Sequence, residues 1–266
     1  MNRVPESWTG PERINNFRDF GGFDTVHGAK VAQRRLLRSA HGHRASEADL
    51  AGLRRLGLAM VTDLRRAEER LLQPSAWLGQ PGLVIVDSGA PAGGHATALP
   101  PHIAALLESR SSAVGMRDFL KRHYGEIPYE PAYVDLFSRY FAALARGGGA
   151  MLIHCSAGKD RTGILASLTL HLLGVHRDDI LRDYLRTNTM SAIAERLPNV
   201  KARLEAQYGP GIDAAALEAL LRVEPDYLAQ MYQSITARSS SLDAYLADVL
   251  GVDALLRARL LAGLLG

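Results

Sequence analysis

Apolar residues along the chain follow two rhythms. Unbroken apolar runs occur at Leu58-Ala59-Met60-Val61, Leu83-Val84-Ile85-Val86 and Ala150-Met151-Leu152-Ile153. Short runs of this kind predict strands buried on both faces, because a half-exposed strand would alternate. The second rhythm is helical. Ser46 opens a helix with Asp49 in capping-box spacing, Leu50, Leu53 and Leu56 form its stripe, and Gly57 ends it. Pro131 starts another that continues from Tyr133 to Ala145 and breaks at Gly147-Gly148-Gly149. Thr162 to Leu173 is apolar enough for a buried helix, closed by Gly174. Two short helical patterns fall within 102–125, and further helices are expected at roughly 177–188, 191–207, 213–222, 226–238, 241–250 and 253–265. Near the start, Phe17 and Phe20, the Gly21-Gly22 turn and a strand from Val31 to Leu37 suggest short strands around a turn. Residues 88–101, rich in Gly, Ala and Pro, predict a loop.

Strands alternating with helices place the chain in the α/β class, with a parallel sheet covered on both faces and a helical C-terminal third. No internal repeat or linker divides it, so residues 1–266 are expected to form one domain.

Composition narrows the function. A net charge of +3 on 266 residues is too small to argue for nucleic acid. No apolar stretch approaches the length of a membrane span. Met1 to Ser7 lacks the apolar run of a secretory signal. Cys155 is the only cysteine, which excludes an internal disulfide and a Cys-rich metal site. A reducing, cytoplasmic setting is the expectation, or export without a cleaved signal. The sequence leaves oligomeric state open.

The informative segment is His154-Cys155-Ser156-Ala157-Gly158-Lys159-Asp160-Arg161-Thr162-Gly163. It follows an apolar strand and opens an apolar helix. A helix N-terminus presents unpaired N–H groups and a positive dipole end. A strand-loop-helix turn can curl such groups around an anion, and the small residues Ser156, Ala157 and Gly158 let the backbone come close. Cys155 begins this loop and Arg161 ends it. A guanidinium can take two phosphate oxygens at once. The same amides and cation favour a thiolate, the nucleophilic form of cysteine. The pattern therefore predicts attack of Cys155 on phosphorus and hydrolysis of the resulting phosphocysteine, with the loop and Arg161 holding the equatorial oxygens. Thr162 is expected to donate to the sulfur, and His154 to buttress the loop.

An isolated cysteine after an apolar strand is usually an inert core residue, but Cys155 is not isolated. A nucleotide P-loop needs Ser or Thr after Lys159, and Asp160 stands there. A thiol redox enzyme would need a resolving cysteine. An inactive phosphate-binding module would be expected to lack the nucleophile or the arginine.

These residues resemble the loop of the protein tyrosine phosphatase superfamily, and most closely the atypical bacterial and fungal group with His-Cys-x-x-Gly-Lys-Asp-Arg-Thr-Gly. The resemblance runs through nearly the whole chain: Asn16-Phe17-Arg18-Asp19, Leu37-Arg38-Ser39, Thr62-Asp63-Leu64-Arg65 with Glu68 or Glu69, Asp183-Tyr184-Leu185-Arg186-Thr187-Asn188, and the ending from Tyr245-Leu246 to Leu264-Leu265-Gly266. It implies a phosphatase α/β fold with a central, mostly parallel sheet flanked by helices. It also implies activity on phosphotyrosine, with phosphoserine, phosphothreonine and phosphoinositides as further substrates, and no metal or organic cofactor. Lys159 is read either as a second phosphate-binding cation or as a solvated loop lysine. The leaving group needs a proton donor. No Trp-Pro-Asp segment supplies one, since Thr9 follows Trp8 and Leu78 follows Trp77. The group's proposed acid carries over to Asp160. Asp63 and Asp87, each after an apolar strand, are the alternatives, and Asp63 with Arg65 can equally be a structural pair. Residues 190–225 resemble a helical lid, in which Leu197, Val200, Leu204, Leu217 and Leu220 would face the site or the core and shield Cys155 from oxidation.

Overall fold

The computed structural model describes residues 10–89, 101–108 and 112–266. In chain order the elements are β1 (Arg18–Asp19), β2 (Leu36–Ser39), α1 (Glu47–Arg55), β3 (Leu58–Asp63), α2 (Ala67–Leu72), β4 (Val84–Val86), α3 (Pro101–Leu107), α4 (Ala113–Glu126) and α5 (Pro131–Leu144). There follow β5 (Ala150–His154), α6 (Asp160–Leu172), α7 (Arg177–Met190), α8 (Ile193–Tyr208), α9 (Ala214–Leu221), α10 (Pro225–Ser239), α11 (Leu242–Ala244) and α12 (Ala254–Leu264).

The strands form one sheet in the order β1-β2-β5-β3-β4. Only β1 runs antiparallel, with Asp19 opposite Leu37. Leu152 of β5 pairs with Leu37 on one side and Val61 on the other, both parallel. The apolar runs of β3 and β5 have a simple cause: each of these strands feeds two cores, whereas β4, expected to be buried, lies at the sheet edge with Val84 exposed. Leu36, Met60, Met151 and Ile153 join the larger core with Tyr140 and Phe141 of α5 and Ile164 and Leu168 of α6. Leu37, Val61, Ala150 and Leu152 face the smaller one with Leu50 and Leu53 of α1 and Trp77. Ser46 and Asp49 form the expected capping box, and Gly57 follows at a positive φ of 74°. The mostly parallel sheet, covered on both faces, is therefore as expected.

Two local expectations need correction. The strand expected from Val31 to Leu37 forms only at Leu36–Ser39. Val31 instead makes a lone bridge to Leu265, Ala32 N–H donates to Leu264 O at 2.7 Å, and Arg34 at φ 61° interrupts the extended run. The helix expected at 241–250 is the short α11 followed by a π-helical turn, Tyr245–Val249. The Met1 to Ser7 reading, and all of the expected loop from 90 to 100, lie outside the described residues. Among the described residues no helix is long and apolar enough to cross a membrane. Because β5 is the middle strand, its carboxyl end opens at the centre of the sheet edge, where α/β proteins place their sites.

Candidate active site

The loop leaving β5 reverses at Gly158 (φ 66°) and enters α6 at Asp160. A side chain at 158 would meet the Ser39 carbonyl at 2.3 Å, so the loop lies directly on the end of β2. Gly158 O accepts from Asn16 Nδ2 at 2.7 Å and from Arg38 Nη2 at 3.1 Å. Gly163 N–H donates to Lys159 O at 2.7 Å, the first turn of α6. None of the backbone N–H groups from Ser156 to Thr162 donates to a described residue. This open run of amides, beside the helix dipole, is the arrangement that holds an anion.

Behind the loop lies a buried ionic cluster. Asp183 of α7 takes Arg18 Nε at 2.8 Å and Arg38 Nη1 at 2.7 Å. Arg18 also reaches Thr187 Oγ1 at 3.2 Å and bonds to the Asn16 side chain. Three separate sequence signatures thus converge on Gly158. Burial, then the neighbouring Arg38 charge, lowers Arg18 to about 10, while the two arginines hold Asp183 low against the cost of burying it.

In front of the loop is a cavity of about 750 Å³. Cys155, Ser156, Ala157, Lys159, Asp160 and Arg161 line its floor. Cys155 is buried, with 2% of its surface exposed. Arg161 Nη1 and Nη2 meet Glu69 at 2.6 and 2.9 Å, and Nη1 also reaches Leu64 O at 3.1 Å. Ser156 Oγ donates to the same carboxylate. The Arg161 Nε has no partner among the described residues. Burial alone would raise the Glu69 carboxyl, but the Arg161 charge and the hydrogen bonds from Arg161 and Ser156 hold it far below the usual carboxylate range. Burial opposes the Arg161 charge as well, and Tyr133 and Glu69 more than offset it, so the guanidinium stays charged.

Lys159 is neither solvated nor free for a ligand. It is 5% exposed, and its ammonium donates to Leu220 O and to Arg222 O (3.1 Å), at the C-terminus of α9. Asp160 accepts from Tyr124 Oη of α4 at 2.8 Å and lies 3.2 Å from Lys159 Nζ. On the opposite wall, burial and then the Arg161 charge push His102 down to about 4. Burial likewise lowers His123. Both imidazoles are neutral near pH 7.

The remaining expected residues fall outside the cavity floor. Thr162 Oγ1 is buried and has no hydrogen-bond partner among the described residues, Cys155 Sγ included, so the expected donation to sulfur is not made. Gly163 packs under the Tyr184 ring, which would sit 2.9 Å from a Cβ there. His154 is fully buried, edge-on to Trp77 at 4.9 Å, with Nδ1 3.3 Å from Cys155 O. Asp63 pairs with Arg65 at 2.7 Å, and Arg65 continues to Gln73 O and Ser75 Oγ. That pair pins a loop, and neither residue lines the cavity. Asp87 accepts from Gly89 N–H and is also off the cavity. Sequence reasoning assigned no role to Glu69, which it had only as one of two signature glutamates. It assigned no role to Tyr124, His102 and His123, and had Tyr133 only as a helix residue.

The model of the tyrosine phosphatase family matches residues 10–266. A provisionally named tyrosine-protein phosphatase of Cupriavidus necator is 38% identical over 262 residues, covering 95% of this chain and 88% of its own. The triple specificity protein phosphatase PtpB of Mycobacterium tuberculosis is 30% identical over 272 residues, covering 93% of each chain. A tyrosine-protein phosphatase of Nostoc commune is 46% identical over 55 residues, 21% of this chain and 18% of its own. Matches that run from the first described strand to the last helix, over the fold that carries the loop, show that the chain belongs to the tyrosine phosphatase family.

Proposed function

We propose that the chain hydrolyses phosphotyrosine in proteins through a phosphocysteine formed on Cys155. The observation that carries this reading is the run of unpaired amides from Ser156 to Thr162, with Cys155 at one end and Arg161 at the other. The phosphoryl group sits in that run, and Arg161 meets it through Nε, the edge that Glu69 leaves open. The Cys155 thiolate attacks phosphorus. The S–P bond forms as the P–O bond to the leaving group breaks, and Asp160 gives its proton to the departing oxygen. Water then attacks phosphorus, the S–P bond breaks, and Asp160 takes a proton from the water. Asp160 is favoured over Asp63 and Asp87 because it alone of the three lines the cavity.

Phosphoserine, phosphothreonine and phosphoinositides are proposed as further substrates. Support comes from the triple specificity named for the mycobacterial relative and from Arg13, Arg44, Arg66, Arg196 and Arg203 around the cavity. Lys159 lends no direct support, because it is held by α9. Residues 190–225 are proposed as a lid within a single phosphatase domain. Val200, Leu204, Leu217 and Leu220 line the cavity above Cys155, and Leu197 packs on the core.

The test is hydrolysis of p-nitrophenyl phosphate by wild type and Cys155→Ser, without added metal, between about pH 4 and pH 8. Turnover that disappears in the variant supports the reading. A folded, reduced wild type without turnover overturns it in favour of phosphate binding alone.

A further inference from the structure

A chain of phenols in the cavity wall ends on Asp160. Tyr184 Oη of α7 donates to Tyr124 Oη of α4 at 2.8 Å, and Tyr124 Oη donates to Asp160 Oδ1 at 2.8 Å. Both tyrosines are fully buried. Asp160 Oδ1 also lies 3.2 Å from the Lys159 ammonium, whereas Oδ2 receives no hydrogen bond from a described residue.

The direction of this chain constrains where a proton can sit on Asp160. A phenol has one hydrogen to give. An ionised carboxylate only accepts, so Tyr124 points its hydrogen at Oδ1 and receives that of Tyr184. A proton placed on Oδ1 would leave Tyr124 only a weakly basic hydroxyl oxygen to donate to, or, if that proton points at Tyr124, force it to accept instead. Tyr124 would then turn its hydrogen back towards Tyr184, whose own hydrogen would be left buried without an acceptor. A proton on Oδ2 disturbs nothing. The nearby Lys159 charge disfavours Oδ1 further. Burial, with the Asp160 charge, raises both phenols and keeps them as donors.

We propose that Tyr124, backed by Tyr184, is a positioning residue that directs the Asp160 proton to Oδ2, and that the cleavage of poor leaving groups depends on it. This rests on Asp160 acting as the general acid. The chain turns a carboxyl with two equivalent oxygens into a directional donor, one face tied to the protein and the other presented to the leaving oxygen. The hydrogen-bond partner comes from α4 and its backing from α7, so two helices distant in sequence set the orientation of one loop side chain.

The experiment compares kcat/KM for p-nitrophenyl phosphate and phenyl phosphate, whose leaving groups differ in basicity. Variants are Tyr124→Phe, Tyr124→Phe with Tyr184→Phe, Asp160→Asn, and Asp160→Asn with Tyr124→Phe. The double phenylalanine variant removes both hydroxyls and leaves no orphaned donor, so it covers the case in which Tyr124→Phe alone folds poorly. Loss of the acid in Asp160→Asn is expected to lower kcat/KM for phenyl phosphate on the order of 10²-fold, with a smaller loss for p-nitrophenyl phosphate. The phenylalanine variants are expected to show the same bias at about tenfold, and to add nothing in the Asp160→Asn background. Equal losses on both substrates, or full additivity with Asp160→Asn, would overturn the role of Tyr124 while leaving Asp160 as the acid. If Asp160→Asn itself shows no leaving-group bias, the acid assignment falls, and the inference with it.

Discussion

Arg18 and Arg38 approach the loop between β5 and α6 from one side and Arg161 from the other, and their surroundings differ. Behind it, Arg18 and Arg38 share Asp183, and the side chains of all three are no more than 3% exposed. In front, Arg161 meets Glu69 at side-chain exposures of 12% and 20%, beside a cavity, with Nε unpaired. Two cations on one buried carboxylate leave a net positive charge under Gly158, on the buried side of the loop. The rear cluster shapes the backbone and biases its potential. The front pair holds a cation in place while keeping one edge of it available. The difference shows how one residue type is buried and tied down in one place and keeps a free edge in another. What decides is whether the protein uses all of its donors.

The largest effect that would separate the two sides is on stability. Asp183→Asn leaves two buried guanidinium groups facing each other without a full counter-charge. It is expected to cost about 3–5 kcal/mol in urea unfolding, and more than any change at the front. A loss below about 1 kcal/mol would show that the rear cluster is no strut.

At the front, Glu69→Gln should show mainly in catalysis, with kcat/KM about tenfold lower as Arg161 loses its fixed orientation. Its pH signature has a definite sign. The folded Glu69 pKa lies below its ordinary value of 4.5, so the carboxylate contributes stability above that pH and loses it as pH falls towards the folded value. The stability gap between wild type and Glu69→Gln should therefore be full near neutrality and shrink below about pH 4. A gap that widens in acid would contradict this.

The smallest effect expected is at Lys159. Lys159→Met removes the donor to the last carbonyls of α9 and should cost about 1 kcal/mol. Amide exchange should speed up in α9 and leave β5 protected. Unchanged exchange in α9 would show that the lysine does not tie the proposed lid to the loop.

The sheet was legible because β3 and β5 lie inside it with a core on each face, which writes unbroken apolar runs into the sequence; the run of the edge strand β4 leaves Val84 exposed. The Ser46–Asp49 capping box was legible because both halves lie within four residues. The loop was legible because cysteine, arginine and the small residues between them are contiguous. What stayed hidden depends on distant partners. Val31 pairs with Leu265 at the other end of the chain. Glu69 is 92 residues from Arg161, and Tyr124 is 36 from Asp160. Lys159 looked equally like a ligand or a solvated side chain because its partners are backbone carbonyls, which carry no residue-specific mark in a sequence. Thr162 shows the converse: next to the loop in sequence, its hydroxyl has no hydrogen-bond partner among the described residues.

Covalent chemistry at Cys155 can be read by mass spectrometry of the enzyme quenched in acid during turnover of p-nitrophenyl phosphate. One added phosphoryl group is expected, carried on the peptide containing Cys155 and absent in Cys155→Ser. Steady turnover with no phosphorylated Cys155, or undiminished turnover by Cys155→Ser, would contradict it.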